Sequence, residues 1–339
     1  MRTYRHTDAP LEVHGILNFK ETGKIGRVPK EVLEELKIEN PESCIPSMAD
    51  RTPGARVCFR TNSKKLTVRF EFETLNMDYG MSLFICQSLT VMVGPRKSAR
   101  MLGVVSPRDY NTMKVEETFE KSGEMEEVTL WFPRSEPVKY IEVDIDDDAE
   151  IEVPTPYKYP AMLYYGSSIT EGGCAHMTGI YSAIISNDLD VDFYNCGFSG
   201  SARGELCIAR WLADIPASIF VYDYDFNAPT PEYLKKTHEP FFKVIREKNP
   251  DLPIVMITRP TYYPNEESDI RADIIRTTYD NAVKAGDKNV WFIDGRNFFG
   301  DMGALCTIEG IHPNELGFWK MAQVIEPVIK QILVDRYGE

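Results

Sequence analysis

Residues 162–175 read MLYYGSSITEGGCA. An apolar and aromatic run ends at Gly166, two serines follow, and two more glycines come at 172 and 173. An unbroken apolar run of this length fits a strand buried on both faces, closed by a sharp turn. The same pattern recurs downstream. AMLYYG (161–166), VDFYNCG (191–197), SIFVYDYD (218–225), LPIVMIT (252–258) and NVWFIDG (289–295) are strand candidates. Between them the spacing predicts helices near 179–188, 204–213, 231–248 and 269–285, and a last one over about 315–336. Strands alternating with helices predict an α/β domain whose parallel sheet is covered on both faces. In such sheets the reactive residues gather in loops beyond the carboxyl ends of the strands.

Upstream the period changes. ARVCFRTNSKKLTVRFEFE (55–73), MSLFICQSLTVMVG (81–94), MLGVVS (101–106), EEVTLWFP (126–133) and VKYIEVDI (138–145) read as short strands with turn residues between them. Many short strands at this spacing predict a β-sandwich or jelly roll. PKEVLEELK (29–37) is expected to form a short helix with Val32, Leu33 and Leu36 on one face. The acidic stretch DIDDDAEIEVPTPYKYP (144–160) carries Pro154, Pro156 and Pro160, which suits a linker. The expected division is a β-sandwich over 1–155 and an α/β domain over 156–339.

Bulk properties narrow the partners. The 339 residues carry a net charge of −14, which repels nucleic acid and anionic membrane surfaces. No apolar run reaches the roughly 18–20 residues that span a bilayer. The opening MRTYRHTDAPLEVHG lacks the apolar core of a secretory signal, so the expected location is the cytoplasm. Seven cysteines (44, 58, 86, 174, 196, 207 and 306) are scattered without a CxxC or zinc spacing, which predicts reduced thiols and no metal site.

Four loops hold the candidate chemistry. Ser167 and Ser168 follow the first strand, CGFSGSARG (196–204) the second, and FNAPTP (226–231) the third; CTIEGIHPNELGF (306–318) leads into the last helix. Together they supply what acyl transfer to a serine requires: a nucleophile, a base, an orienting acid and oxyanion donors. Ser168 is the candidate nucleophile, His312 its base, and Glu309, three residues upstream, the acid that orients the imidazole. The backbone N–H groups of Ser168 and Gly200 and the side-chain amide of Asn227 are the candidate oxyanion donors. Each block alone also has a structural reading: a Gly-Ser-Ser turn, a glycine-rich turn, an asparagine helix cap, a structural histidine. No phosphate-cradling loop, dinucleotide fingerprint or G-x-S-x-G elbow is present.

In these blocks the chain resembles the SGNH (GDSL-type) hydrolase superfamily. YGSSITEGG matches its serine block, NCGFSGSARGE its glycine block, DYDFNAP its asparagine block and IEGIHPNELG its histidine block. The first half resembles the β-sandwich that precedes the hydrolase domain in a bacterial two-domain subgroup. That likeness implies a flavodoxin-like three-layer domain and a carboxylic ester hydrolase, with O-acetyl groups on carbohydrate as the expected substrate. Two positions depart from the family pattern. Ser167 stands where aspartate is usual, and Glu309 replaces the aspartate that orients the histidine, with Asp301 or a backbone carbonyl as the fallback.

A serine mechanism carries its own nucleophile and base, so no cofactor is expected. The alternatives are an O-acyltransferase using the same acyl-enzyme and a non-catalytic carbohydrate-binding protein on the same fold. Ser167, Arg203, Arg259, Tyr262 with its neighbour Tyr263, and Trp319 are candidates for substrate contact, balanced against core-packing or ion-pairing roles.

Overall fold

The computed structural model describes residues 1–77 and 82–338. Alternation in the first half resolves into ten strands: β1 (Arg2–Arg5), β2 (Glu12–His14), β3 (Arg56–Thr61), β4 (Lys65–Phe72), β5 (Leu89–Val93), β6 (Arg100–Val105), β7 (Lys114–Glu120), β8 (Glu126–Trp131), β9 (Val138–Ile145) and β10 (Ile151–Glu152). Among the described residues three α-helices accompany them: α1 (Phe19–Thr22), α2 (Lys30–Glu39) and α3 (Leu83–Cys86). The strands form two antiparallel sheets, ordered β1-β9-β4-β7 and β10-β3-β8-β5-β6, with β2 also on β3. Register explains why they face each other. Leu66, Val68 and Phe70 of β4 lie opposite Ile145, Val143 and Ile141 of β9. Val57 and Phe59 of β3 lie opposite Leu130 and Val128 of β8. Side chains alternate across a strand, so these pairs all turn to one face and merge in a single buried cluster, a sandwich.

One strand expectation needs correction. Of MSLFICQSLTVMVG, Met81 lies outside the described residues, Leu83–Cys86 form the helical turn α3, and only Leu89–Val93 form a strand. A short apolar run has no period that separates a strand from one helical turn, and burial of Cys86 satisfies either.

The second half adds β11 (Tyr159–Gly166), α4 (Ser168–Glu171), α5 (Tyr181–Leu189), β12 (Val191–Gly197), α6 (Leu206–Ala213), β13 (Phe220–Asp223), α7 (Pro231–Lys248), β14 (Ile254–Ile257), α8 (Glu266–Lys284), β15 (Val290–Ile293) and α9 (Glu315–Tyr337). All five strands are parallel, in the order β12-β11-β13-β14-β15. That is the doubly wound flavodoxin-like order, which places a crevice at the carboxyl ends of the strands beside β11. The apolar strands feed two cores. Met162 and Tyr164 pack with α5 and α9, whereas Leu163 and Tyr165 pack with α6, α7 and α8. Helices on both faces explain why these strands carry no polar alternation.

The two halves share packing and charge. α2 turns Leu36 into the core of the second half, with Val32 and Leu33 packed alongside. The Glu39 carboxylate at the end of α2 accepts the amides of Leu206 and Cys207 at the start of α6. Arg56 of β3 pairs with Asp192 of β12, its guanidinium over the rings of Trp131 and Phe193. Among the described residues no helix is long and apolar enough to cross a membrane.

Candidate active site

Sheet register sets the level of the site: Gly166 at the end of β11 lies beside Gly197 of β12 and Asp223 of β13. Gly166 answers for the sharp turn. A Cβ there would sit 2.0 Å from the Thr170 hydroxyl and 2.1 Å from the Asp223 carbonyl, so only glycine fits. The Ser167 amide then donates to Asp223 O, and the Ser167 hydroxyl accepts the Ile169 amide as the cap of α4. Ser168 becomes the first residue of that helix, partly exposed, while its two neighbours are buried. The second strand is held as tightly: a Cβ on Gly197 would lie 2.2 Å from the Glu171 amide nitrogen.

His312 sits on a loop fixed at both ends. Thr307 bridges Pro313, Ile308 N–H donates to His312 O, and Asn314 caps α9 while its side-chain amide donates to Leu305 O. This geometry carries the ring to Ser168. The Ser168 hydroxyl lies 2.8 Å from His312 Nε2, and His312 Nδ1 lies 2.9 Å from Glu309 Oε1. Glu309 Oε1 also accepts the backbone amides of His312 at 2.7 Å and Ile311 at 3.2 Å. Burial works to raise the Glu309 carboxyl; the amide bonds and the adjacent imidazole outweigh it and hold the group below its ordinary value. The carboxylate on the imidazole is therefore Glu309, and the fallback Asp301 lies exposed on the 3-10 helix Gly300–Cys306. A hydroxyl–imidazole–carboxylate chain of this kind can lift the hydroxyl proton as the oxygen attacks an electrophilic carbon.

The other predicted residues fall into place unevenly. Gly200, at φ +68, is exposed and opens onto free space. Asn227 ends a 3-10 turn after β13, and one of its side-chain N–H bonds donates to Phe198 O at 2.9 Å, tying the third loop to the second. Ser167 is fully buried as a helix cap, so the expectation of a substrate contact there is corrected. Arg259 stacks on Phe226 and lies 3.7 Å from Glu267, a structural engagement. Arg203 reaches Gly200 O at 3.4 Å and lines a cavity of about 440 Å³ with Glu39, Tyr233 and Lys236. Tyr262 is partly exposed and borders the histidine loop: a Cβ on Gly310 would lie 3.7 Å from its ring. Tyr263 is more exposed still, and Trp319 is half-exposed on α9.

Sequence reasoning missed what lies beneath. Glu171, three residues after Ser168, is fully buried and its Oε2 accepts both the amide and the hydroxyl of Ser199, the neighbour of Gly200. Three arginines from the first half converge on it. Arg27 donates to the carbonyls of Asn195 and Gly197, Arg134 donates to that of Gly173, and Arg51 lies 3.8 Å from Glu171 Oε1. Burial would raise the Glu171 carboxyl, but Arg134 and Arg27, the Ser199 bond and Arg51 prevail and keep it below its ordinary value. A charged residue inside SITEGG was the available signal for Glu171; nothing in the sequence pointed to its arginines. Scattered in sequence, Cys174, Glu309 and His312 nevertheless bring their ligand atoms within 4.8 Å of one another.

Two family models match the sequence. One, described as the GDSL-like Lipase/Acylhydrolase family, matches residues 160–330, and the other, described as the N-terminus of Esterase_SGNH_hydro-type, matches residues 3–151. No curated protein matches it. Among solved structures, a protein named as a GDSL-like lipase from Bacteroides ovatus is 24% identical, with a TM-score of 0.82 over 98% of each chain. The salicylyl-acyltransferase SsfX3 from a tetracycline biosynthetic pathway is 20% identical, with a TM-score of 0.77 over 99% of this chain and 98% of its own. A family two carbohydrate esterase from Clostridium thermocellum, solved with cellohexaose, is 14% identical, with a TM-score of 0.64 over 83% of this chain and 93% of its own. These likenesses show the fold.

Proposed function

Because the chain belongs to the GDSL-like lipase/acylhydrolase family, we propose that it is a serine esterase that removes O-acetyl groups from carbohydrate. The observation that carries this reading is the continuous chain from Ser168 Oγ to His312 Nε2 at 2.8 Å and from His312 Nδ1 to Glu309 at 2.9 Å. Ser168 Oγ attacks the ester carbonyl carbon while His312 Nε2 takes its proton, and Glu309 stabilises the imidazolium. The N–H groups of Ser168 and Gly200 and the Asn227 amide receive the oxyanion. Collapse breaks the bond to the alcohol oxygen, which leaves with the proton from His312. Water then attacks the acyl-Ser168, gives its proton to His312, and releases the acid with Ser168 restored. Carbohydrate as the alcohol is supported by the esterase relatives and by Tyr262, which borders the histidine loop and is exposed enough for a sugar face to stack.

The test is acetate release from a panel of acetylated oligosaccharides, alongside p-nitrophenyl acetate as a simple ester. Ser168→Ala is expected to lower turnover by at least about 10⁴-fold, as loss of a triad nucleophile does. Unchanged turnover in that variant overturns the proposal. A second reading, acyl transfer to a sugar or alcohol in place of water, is favoured by the likeness to an acyltransferase over nearly the whole chain. Product analysis with an added acceptor separates the two.

A further inference from the structure

The turn that follows α4 runs Gly172-Gly173-Cys174 and packs directly on the histidine loop. A Cβ on Gly173 would lie 3.0 Å from Pro313 O, and Arg134 donates to Gly173 O. Two residues on, the His176 amide donates to Glu315 at the start of α9. The Cys174 thiol is thereby fixed next to Glu309 and His312, with ligand atoms of all three within 4.8 Å of one another. Cys174 and His312 are partly exposed and Glu309 is exposed, so solvent reaches the group.

From this geometry we propose that Cys174, His312 and Glu309 form a binding site for a zinc-class divalent ion, and that its occupancy reversibly switches off the esterase. One thiolate, one imidazole and one carboxylate make a set that zinc and cadmium accept readily and that magnesium and calcium do not. Three protein ligands leave the fourth tetrahedral position to water. With metal–ligand bonds of about 2.0–2.3 Å, tetrahedral ligand atoms stand roughly 3.3–3.8 Å apart, so the group closes by about 1 Å to grip an ion. On binding, Cys174 loses its proton to solvent and the sulfur bonds the metal. A ring nitrogen of His312 supplies a second lone pair. Taking Nε2 breaks the Ser168 contact, and taking Nδ1 breaks the Glu309 contact; in either case the base is lost. The inhibition rests on the esterase reading above, whereas the binding does not.

The experiment therefore reads binding and turnover separately. Titration of the whole protein with Co²⁺ is expected to produce a near-ultraviolet thiolate-to-cobalt band that Zn²⁺ abolishes. The band is expected to disappear in Cys174→Ser and to persist in Cys44→Ser, whose thiol is exposed elsewhere. In the unaltered protein, Zn²⁺ but not Mg²⁺ is expected to slow iodoacetamide alkylation at Cys174 at least tenfold, located by peptide mass mapping. Ester turnover is expected to fall at least tenfold with Zn²⁺ and return with chelator, with Cys174→Ser resisting relative to its own metal-free rate. No cobalt band, a band that survives Cys174→Ser, or alkylation indifferent to Zn²⁺ overturns the site. Binding without inhibition overturns the switch alone, and absence of turnover on every ester overturns the esterase reading while the binding results stand.

Discussion

Replacing Glu171 with glutamine removes one charge and almost no volume from beneath the Ser168 turn. The glutamine carbonyl can still accept the Ser199 amide, so that contact is kept. In the native protein one buried carboxylate faces Arg27, Arg51 and Arg134. Neutralising it raises the local charge by one unit and turns an amide NH₂ toward donors. The Arg51 pair alone, at 3.8 Å, is worth about 4 kcal/mol at an effective dielectric of 20. Arg51 keeps some exposure to water, which screens that figure, while Arg27 and Arg134 are deeply buried. Breaking a buried pair costs about 3–5 kcal/mol, and we expect Glu171→Gln to lose about 3 kcal/mol.

The assay for Glu171→Gln is urea unfolding followed by far-ultraviolet circular dichroism at pH 7. The loss should also depend on pH, with a definite sign. Glu171 is held below its ordinary value in the fold, so its stabilisation is complete above about pH 4.5 and drains as pH falls through the folded value. The gap between native protein and variant is therefore widest at neutral pH and narrows on acidification. A variant within about 1 kcal/mol of the native protein at pH 7, or a gap that stays constant down to pH 3, refutes the reasoning.

Two further perturbations test the same architecture. Glu309→Ala is expected to lower kcat on p-nitrophenyl acetate by about 10²–10³-fold with little change in KM, less than the roughly 10⁴-fold typical of a buried triad acid because water reaches this carboxylate; a loss below threefold would remove Glu309 from the mechanism. Gly197→Ala, whose Cβ would meet the Glu171 backbone at 2.2 Å, is expected to cost about 3 kcal/mol by thermal unfolding, and a cost under 1 kcal/mol would show that the two loops are not locked together.

The second half was readable because its strands are apolar on both faces and its candidate residues stand in loops at one end of the sheet, where topology alone concentrates them. Glu309 was legible from its three-residue spacing to His312, since a loop that short can fold a carboxylate back onto the ring. The edges of the sandwich were not. β7, KVEETFE, buries Val115 and little else on the rim of its sheet, so its alternation is nearly all polar and reads as loop. Ser167 looked like a substrate residue because a capping serine and an exposed serine have the same sequence signature; only the Ile169 amide distinguishes them. Cys174 and His312 meet across the histidine loop, a proximity that no local spacing encodes.

The hardest feature to read was also the one that joins the two halves. Arg27, Arg51 and Arg134 come from three separated loops of the first half, and in sequence each passes for an ordinary solvated cation. Arg27 and Arg134 occupy the positions where the turns around Ser168 and Gly200 present carbonyls inward, at Asn195, Gly197 and Gly173. Such carbonyls are costly to bury without donors, and Glu171 is costly to bury without cations. The parallel sheet alone therefore has an unfinished underside: its Ser168 turn and its glycine loop each lack partners that the first half supplies. Packing of Leu36 into the same core and capping of α6 by Glu39 extend the dependence. The first half thus completes the floor on which Ser168 and Gly200 are positioned.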